Sequence, residues 1–282
     1  MPSVRLRLYH HHDGARVAYR ETGAGPALAL VHSLGLSHRE WEPIVNALSA
    51  RFRVVLPDLP LHGDSEDRPR HPYSPDWLTD VMAGFCREVA GPHPLLAGHD
   101  IGAELILRAV TSGRIEPARL VLMPNRLHRS DEFRGQRAGW RLACRAAALP
   151  GLDRLLAYGA TVVFRPALGE RLSVQRNPAA RDLVRHAFAD LPGNGNRARS
   201  WAKFARRWPV EAQRYLLDAY PRIDAPVLLL WADADPAHPL IGPQEALDLL
   251  PNAQLRMLAR TGFLIAYDDP VGVARELIAF LG

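Results

Sequence analysis

Lysine is all but missing from this sequence: Lys203 stands alone among 35 basic residues, the rest being arginine. The net charge of +5 is carried by scattered arginines without a groove-like basic run, so nucleic acid is not an expected partner. Cysteine is scarce as well. Cys86 and Cys144 make neither a disulfide framework nor a metal-ligand pattern, and both lie in apolar, helix-like contexts as inert residues. No apolar run is long enough to span a bilayer, so no membrane association is expected. The stretch Met1-Pro2-Ser3-Val4-Arg5 has no apolar signal region, which makes a cytoplasmic location the expectation. His10-His11-His12 is too short for a purification tag and falls in a strand or hairpin. With no cluster of ligating residues in the pattern, neither a metal nor a redox cofactor is implied.

What is present is apolar and regularly spaced. Hydrophobic residues make up 48% of 282 positions, enough for one large α/β domain with an insertion. Val4–Leu8 and Ala15–Arg20 alternate as strands around an Asp13-Gly14 turn. Ala27–Val31, Arg53–Leu56, Leu95–Ala97, Arg119–Met123 and Ala225–Trp231 are continuous apolar runs of the kind buried in a parallel sheet. Helical spacing separates them, as in the segments holding Trp41 to Leu48 and Trp77 to Val89. A helix around Pro243–Leu250, a strand at Ala253–Leu258 and a helix from Pro270 to Leu281 close the chain. The expected fold is therefore α/β, a mostly parallel twisted sheet flanked by helices. Residues 125–223 break the alternation: they read as helices with one possible strand at Ala160–Phe164, and form a helical insertion. The core is then residues 1–124 and 224–282.

One stretch organises the rest. Leu95–Ala97 runs into Gly98-His99-Asp100-Ile101-Gly102, and Ala103–Val110 continues as a helix. Strand, tight Gly-X-Asp-X-Gly turn and helix place the central side chain at a strained, exposed point on a helix N-terminus. Asp100 occupies that point.

These landmarks resemble the α/β-hydrolase superfamily. His32-Ser33-Leu34-Gly35 looks like the loop that supplies an oxyanion-hole amide, which implies Leu34 and Ile101 as the amide donors. Asp58-Leu59-Pro60-Leu61-His62-Gly63-Asp64-Ser65 is similar to the loop after the next strand. Trp231-Ala232-Asp233-Ala234-Asp235-Pro236 resembles the acid loop, with Asp235 in the acid's place. The Asp-centred elbow is most like those of epoxide hydrolases and haloalkane dehalogenases, in which Asp forms an alkyl ester that a His-activated water cleaves. The resemblance also implies a helical cap over the pocket, with Trp140 and Tyr158 among its lining candidates and Tyr158 or Tyr215 as possible holders of an epoxide oxygen.

The family's histidine should follow Gly262, and the residue there is Phe263. Phenylalanine has no lone pair and no exchangeable proton, so it cannot be a general base. Four histidines are candidates to substitute: His32, His99, His128 and His238, with location favouring His32 and His128. Asp235 has an arginine or His238 as alternative partners. Ser33, His99, Asn125, His128 and Phe263 complete the expected pocket lining. Asp100, Asp235 and His32 are the candidate catalytic residues, and no metal ligand is among them.

With no base at position 263, the sequence points first to a non-hydrolytic enzyme. Asp100 would act as general acid/base on a hydrophobic small molecule, in cyclisation, addition, C–C bond formation or lyase chemistry suited to secondary-metabolite biosynthesis. Two alternatives stand beside it: an epoxide hydrolase or dehalogenase with Asp100 as nucleophile and a relocated base, and a non-catalytic ligand-binding protein. A monomer or homodimer is expected.

Overall fold

The computed structural model describes residues 5–129, 152, 166–188, 193–207 and 213–282. Among them, an eight-stranded sheet runs in the order β1-β2-β4-β3-β5-β6-β7-β8. Its strands are β1 (Arg5–His10), β2 (Arg16–Thr22), β3 (Ala27–Val31), β4 (Arg53–Pro57), β5 (Leu95–Gly98), β6 (Arg119–Leu122), β7 (Val227–Ala232) and β8 (Ala253–Leu258). β1 and β2 form the antiparallel hairpin turned at Asp13-Gly14, and β2 runs antiparallel to β4. From β4 to β8 every pairing is parallel.

The inner parallel strands, β3 to β7, are apolar on both faces because helices cover both, whereas the edge strand β8 carries Gln254 and an exposed Arg256. Along β5, Leu96 faces one layer, and Leu95 and Ala97 face the other. The first layer packs α2 (Pro75–Phe85) and α3 (Ile101–Thr111); the second packs α1 (Glu42–Ser49) and the final helix, Pro270–Leu281. Each of the buried strands therefore reads as a continuous hydrophobic run rather than an alternation.

Register brings the functional loops to one edge. Val31 pairs with Gly98 and Gly98 with Leu122, so β3, β5 and β6 end level, while β7, whose Leu229 lies opposite Leu122, runs three residues further to Ala232 opposite Leu258. The segments that follow them, at residues 32–34, 99–100 and 233–238, emerge side by side. Open parallel sheets bind ligands at this carboxyl edge.

Between β6 and β7 the described residues hold helices and no strand: α4 (Pro166–Leu172), α5 (Ala179–Phe188), α6 (Gly195–Arg207) and α7 (Tyr215–Ala219). The possible strand at Ala160–Phe164 lies outside the described residues, as does Cys144. α6 lies over the loop after β4. Ser200 donates to the Asp67 carbonyl at 2.6 Å, Lys203 to Pro69 at 3.1 Å and Arg207 to Pro72 at 2.7 Å. Trp201 meets His62 edge-on at 4.8 Å. The α4–α5 connection hooks onto Asp268, which accepts from Ser173 Oγ, Val174 N and Gln175 N. Asp268 sits in the short helix α9 (Ile265–Asp268), ahead of α10 (Pro270–Leu281); α8 (Ile241–Leu249) joins β7 to β8. No described helix is long and apolar enough to cross a membrane. Cys86 is buried, and burial pushes its thiol up to about 12.

Candidate active site

Asp100 has φ 47° and ψ −119°, a conformation that a residue with a side chain adopts only under constraint. The constraint comes from both glycines and from three backbone bonds. A Cβ on Gly102 would stand 2.3 Å from the Val31 carbonyl oxygen, and one on Gly98 would meet the Ala103 nitrogen at 2.7 Å. His99 N donates to Val31 O, Asp100 N to Pro124 O, and Met123 N to Gly98 O, all at 2.9 or 3.0 Å. The elbow is thus sewn to the strands on either side. Its geometry explains why the motif needs glycine at 98 and 102.

The Asp100 carboxylate divides its two oxygens. Oδ2 accepts from Leu34 N at 3.0 Å. Ile101 N, the first amide of α3, follows Asp100 directly and has no partner within the helix, as for any helix N-terminus. Oδ1 lies 3.4 Å from His238 Nε2. The other ring nitrogen, Nδ1, is 2.7 Å from Asp235 Oδ2. Carboxylate, imidazole and carboxylate therefore stand in line, with the His238 side chain only 2% exposed. Of the four candidate histidines, His238 is thus the one whose ring nitrogen faces the Asp100 carboxylate, rather than the favoured His32 or His128.

The loop that achieves this is very short. Asp235 and His238 are separated by Pro236 and Ala237. Asp235 Oδ1 accepts from Ala237 N at 2.9 Å, which leaves Oδ2 for the imidazole. Trp231 Nε1 donates to the His238 carbonyl at 2.8 Å and ties the far end of the loop to β7. Phe263 lies against the imidazole, with ring centroids 5.8 Å apart and planes inclined by 25°, and touches His99 at 4.8 Å. An aromatic face at that distance favours a cationic ring.

The electrostatics follow from this line. Burial works against charge on all three groups. It is outweighed at His238 by the hydrogen bonds and charges of Asp100 and Asp235, which lift the imidazole to about 9. At Asp100, burial is outweighed by the hydrogen bond and charge of His238, the charge of His99 and the Leu34 amide, so the carboxyl is held well below its usual range. Asp235 is lowered chiefly by its own bond to His238. The resting arrangement is carboxylate, imidazolium, carboxylate. Glu104, one turn along α3, is buried, and burial together with the Asp100 charge raises its carboxyl to about 7.

The other expected site residues are placed as follows. His32 has both ring nitrogens engaged by backbone: Nδ1 donates to Ser33 O at 2.8 Å and Nε2 accepts from Leu59 N at 2.9 Å. It holds the two loops together and has no nitrogen left for Asp100. Burial lowers it, which matches a neutral ring. Ser33 donates through N and Oγ to Glu40 Oε2, at 2.7 and 2.9 Å, and the other Glu40 oxygen meets His99 Nδ1. Asn125 is spent on local backbone, donating to Met123 O and accepting from Leu127 N. His128 points away to Glu245, 2.7 Å from Nε2, and to Tyr220. The pocket roles expected for Asn125 and His128 are therefore replaced by structural ones. Tyr215 is 46% exposed beside Arg108 rather than over Asp100. Trp140 and Tyr158 lie outside the described residues.

The model of the alpha/beta hydrolase family matches residues 28–276. The chain belongs to the alpha/beta hydrolase family. An uncharacterized protein of Mycobacterium tuberculosis is 25% identical over 282 residues, covering 95% of this chain and 78% of the relative. The magnesium-chelatase 30 kDa subunit of Rhodobacter capsulatus is 28% identical over 240 residues, covering 83% and 79%. Among solved structures, the epoxide hydrolase CorEH superposes with a TM-score of 0.80 over 99% of both chains at 17% identity, a likeness of fold.

Proposed function

We propose that this family member is a hydrolase of electrophilic carbon substrates, with Asp100 as nucleophile and His238 as a base moved onto the acid loop. The observation that carries the reading is the single line Asp235–His238–Asp100, at 2.7 and 3.4 Å. A buried imidazole 3.4 Å from Asp100 supports a water activator here and weighs against the non-hydrolytic reading.

The two carboxylate oxygens suggest the division of labour. Oδ1 is free of backbone donors and attacks carbon, forming a C–O bond as the bond to the leaving group breaks. Oδ2 stays at Leu34 N and becomes the ester carbonyl oxygen. An imidazolium beside the nucleophile favours an epoxide over a haloalkane, because an opened epoxide leaves as an alkoxide that needs a proton and a halide does not. His238 supplies that proton and becomes neutral. Ester formation also removes the Asp100 charge that raised the imidazole, so the ring is now a competent base. It takes a proton from water, and the hydroxide adds to Cγ. The resulting oxyanion is met by the amides of Leu34 and Ile101. On collapse the departing alkoxide takes the proton back from His238, and the proton left on Asp100 returns to the imidazole. The sum is epoxide plus water to diol. The insert of residues 125–223 serves as the cap, and a hydrophobic small molecule is the substrate.

The test is a panel of aliphatic and aryl epoxides and haloalkanes, followed by single turnover in ¹⁸O-water. The label should enter the Asp100 peptide, and His238→Gln should accumulate an Asp100 ester detectable by peptide mass. An active protein whose Asp100 takes up no label and forms no ester would return the reading to acid/base chemistry without hydrolysis.

A further inference from the structure

We propose that His11, His12 and Asp80 form a binding site for a zinc-like divalent cation at the edge of the sheet, separate from the elbow. Their ligand atoms all lie within 4.8 Å of one another. Consecutive residues of a strand point to opposite faces. His11 and His12 lie just past the end of β1, where the turn breaks that alternation, and their ring centroids come to 4.0 Å. Asp80 arrives from α2, with Oδ2 at 3.4 Å from His11 Nε2. Zinc bonds of about 2.0–2.1 Å in tetrahedral geometry set donor atoms roughly 3.3 Å apart. The His11–Asp80 pair already has that separation, and only a side-chain adjustment of the exposed His12 is needed to complete a three-ligand face.

The surroundings orient the set toward a metal. His11 Nδ1 stands 2.9 Å from Asp13 Oδ1, and Asp13 also accepts from Ala15 N and Trp77 Nε1. Held acceptors make His11 the Nδ1–H tautomer, which aims the Nε2 lone pair at Asp80 and His12. This carboxylate–histidine support is what metal-ligating imidazoles use. A neutral His11 faces a carboxylate lone pair with a lone pair of its own, a repulsion that a proton or a cation relieves. Two imidazoles and one carboxylate suit zinc rather than magnesium or calcium. Among the described residues, the other three-residue group that could ligate, His38, Asp58 and Asp64, already holds the Arg20 guanidinium against both carboxylates. β1 lies four strand positions from β5, on the order of 19 Å across the sheet, so the cation would staple the hairpin turn to α2 and take no part in the reaction.

Chelator-treated full-length protein titrated with ZnCl₂, by calorimetry and against a chromogenic zinc indicator, tests the site. One zinc per chain with micromolar or tighter affinity is expected, with a zinc-dependent rise in Tm and no response to MgCl₂. His12→Ala, at an exposed position that the fold does not need, should weaken binding at least tenfold, and Asp80→Asn likewise. Asp13→Asn should weaken it roughly 10–100-fold, the usual loss when the support of a ligating histidine is removed. His10→Ala should leave it unchanged. Binding weaker than about 100 µM, several weak ions per chain, or affinity indifferent to both His12→Ala and Asp80→Asn would overturn the proposal and leave His11 as a structural bridge between Asp13 and Asp80.

Discussion

Replacing Asp100 by Asn imitates the charge of the ester intermediate without forming it, and it isolates what Asp100 does to His238. The amide keeps the size of the carboxyl and an oxygen able to accept from the imidazolium, and removes one unit of negative charge at 3.4 Å from Nε2. Coulomb's law at that distance gives about 1 kcal/mol in a water-like medium and about 5 kcal/mol at an effective dielectric of 20. With about 1.4 kcal/mol per pH unit, the imidazole should fall from about 9 by roughly 1 to 3.5 pH units, into or below the ordinary histidine range. The side chain is almost fully buried, which favours the larger end. Two-dimensional ¹⁵N–¹H spectra of the histidine ring nitrogens across pH 5–10, in the parent protein and in Asp100→Asn, report the value directly. A change of less than about 0.3 pH unit would show that Asp100 and His238 are not coupled, and the argument that alkylation switches the ring from acid to base would fail.

Other outcomes follow from the same geometry. Asp235→Asn should cut kcat by about 10²- to 10⁴-fold with little change in KM, since Asp235 orients the imidazole and does not reach substrate. His238→Ala should abolish turnover, and adding Phe263→His to it should recover roughly tenfold, because position 263 borders the same space; no recovery would mean that the two positions do not share it. Gly102→Ala should cost about 2–3 kcal/mol, seen as a Tm lower by several degrees in calorimetry, since the new methyl collides with the carbonyls of Val31 and His32. The folded state raises His238, so the stability from that ion pair is complete below about pH 6.5 and is lost as pH rises through about 9. Urea midpoints at pH 7 and 10 should differ in the parent and converge in His238→Ala.

The sequence was most legible where one residue's environment is set by its immediate neighbours. The parallel strands announced themselves as apolar runs because both faces are covered, and the elbow did so because only glycine survives 2.3 Å from a carbonyl. Asp100 and Leu34 were named from the motifs alone. The pattern favours His32 and His128 over His238, because nothing in it says which histidines have their nitrogens filled by backbone. His32 is such a case: its loop position is ideal and both nitrogens are already occupied. The useful signal was Asp235-Pro236-Ala237-His238, whose three-residue spacing on a tight loop lets the acid cap its own turn and reach the imidazole. The contacts among residues distant in sequence, such as His11 with Asp80 and His128 with Glu245, have no local signature at all.

Placing base and acid on one four-residue loop also changes what the segment after β8 is for. Residues 262–268 carry the attachments of the helical insert: Asp268 holds Ser173, Val174 and Gln175, and Asn177 donates to Tyr267 O. A displacement of the insert pulls on this segment, and the group it would drag along is Phe263. The imidazole is anchored through Trp231 of β7 and through Asp235, and Phe263, stacked on it, is where that pull would reach it. Variants of the insert that shift Phe263 should therefore also shift the titration of His238, read from its ring-nitrogen resonances.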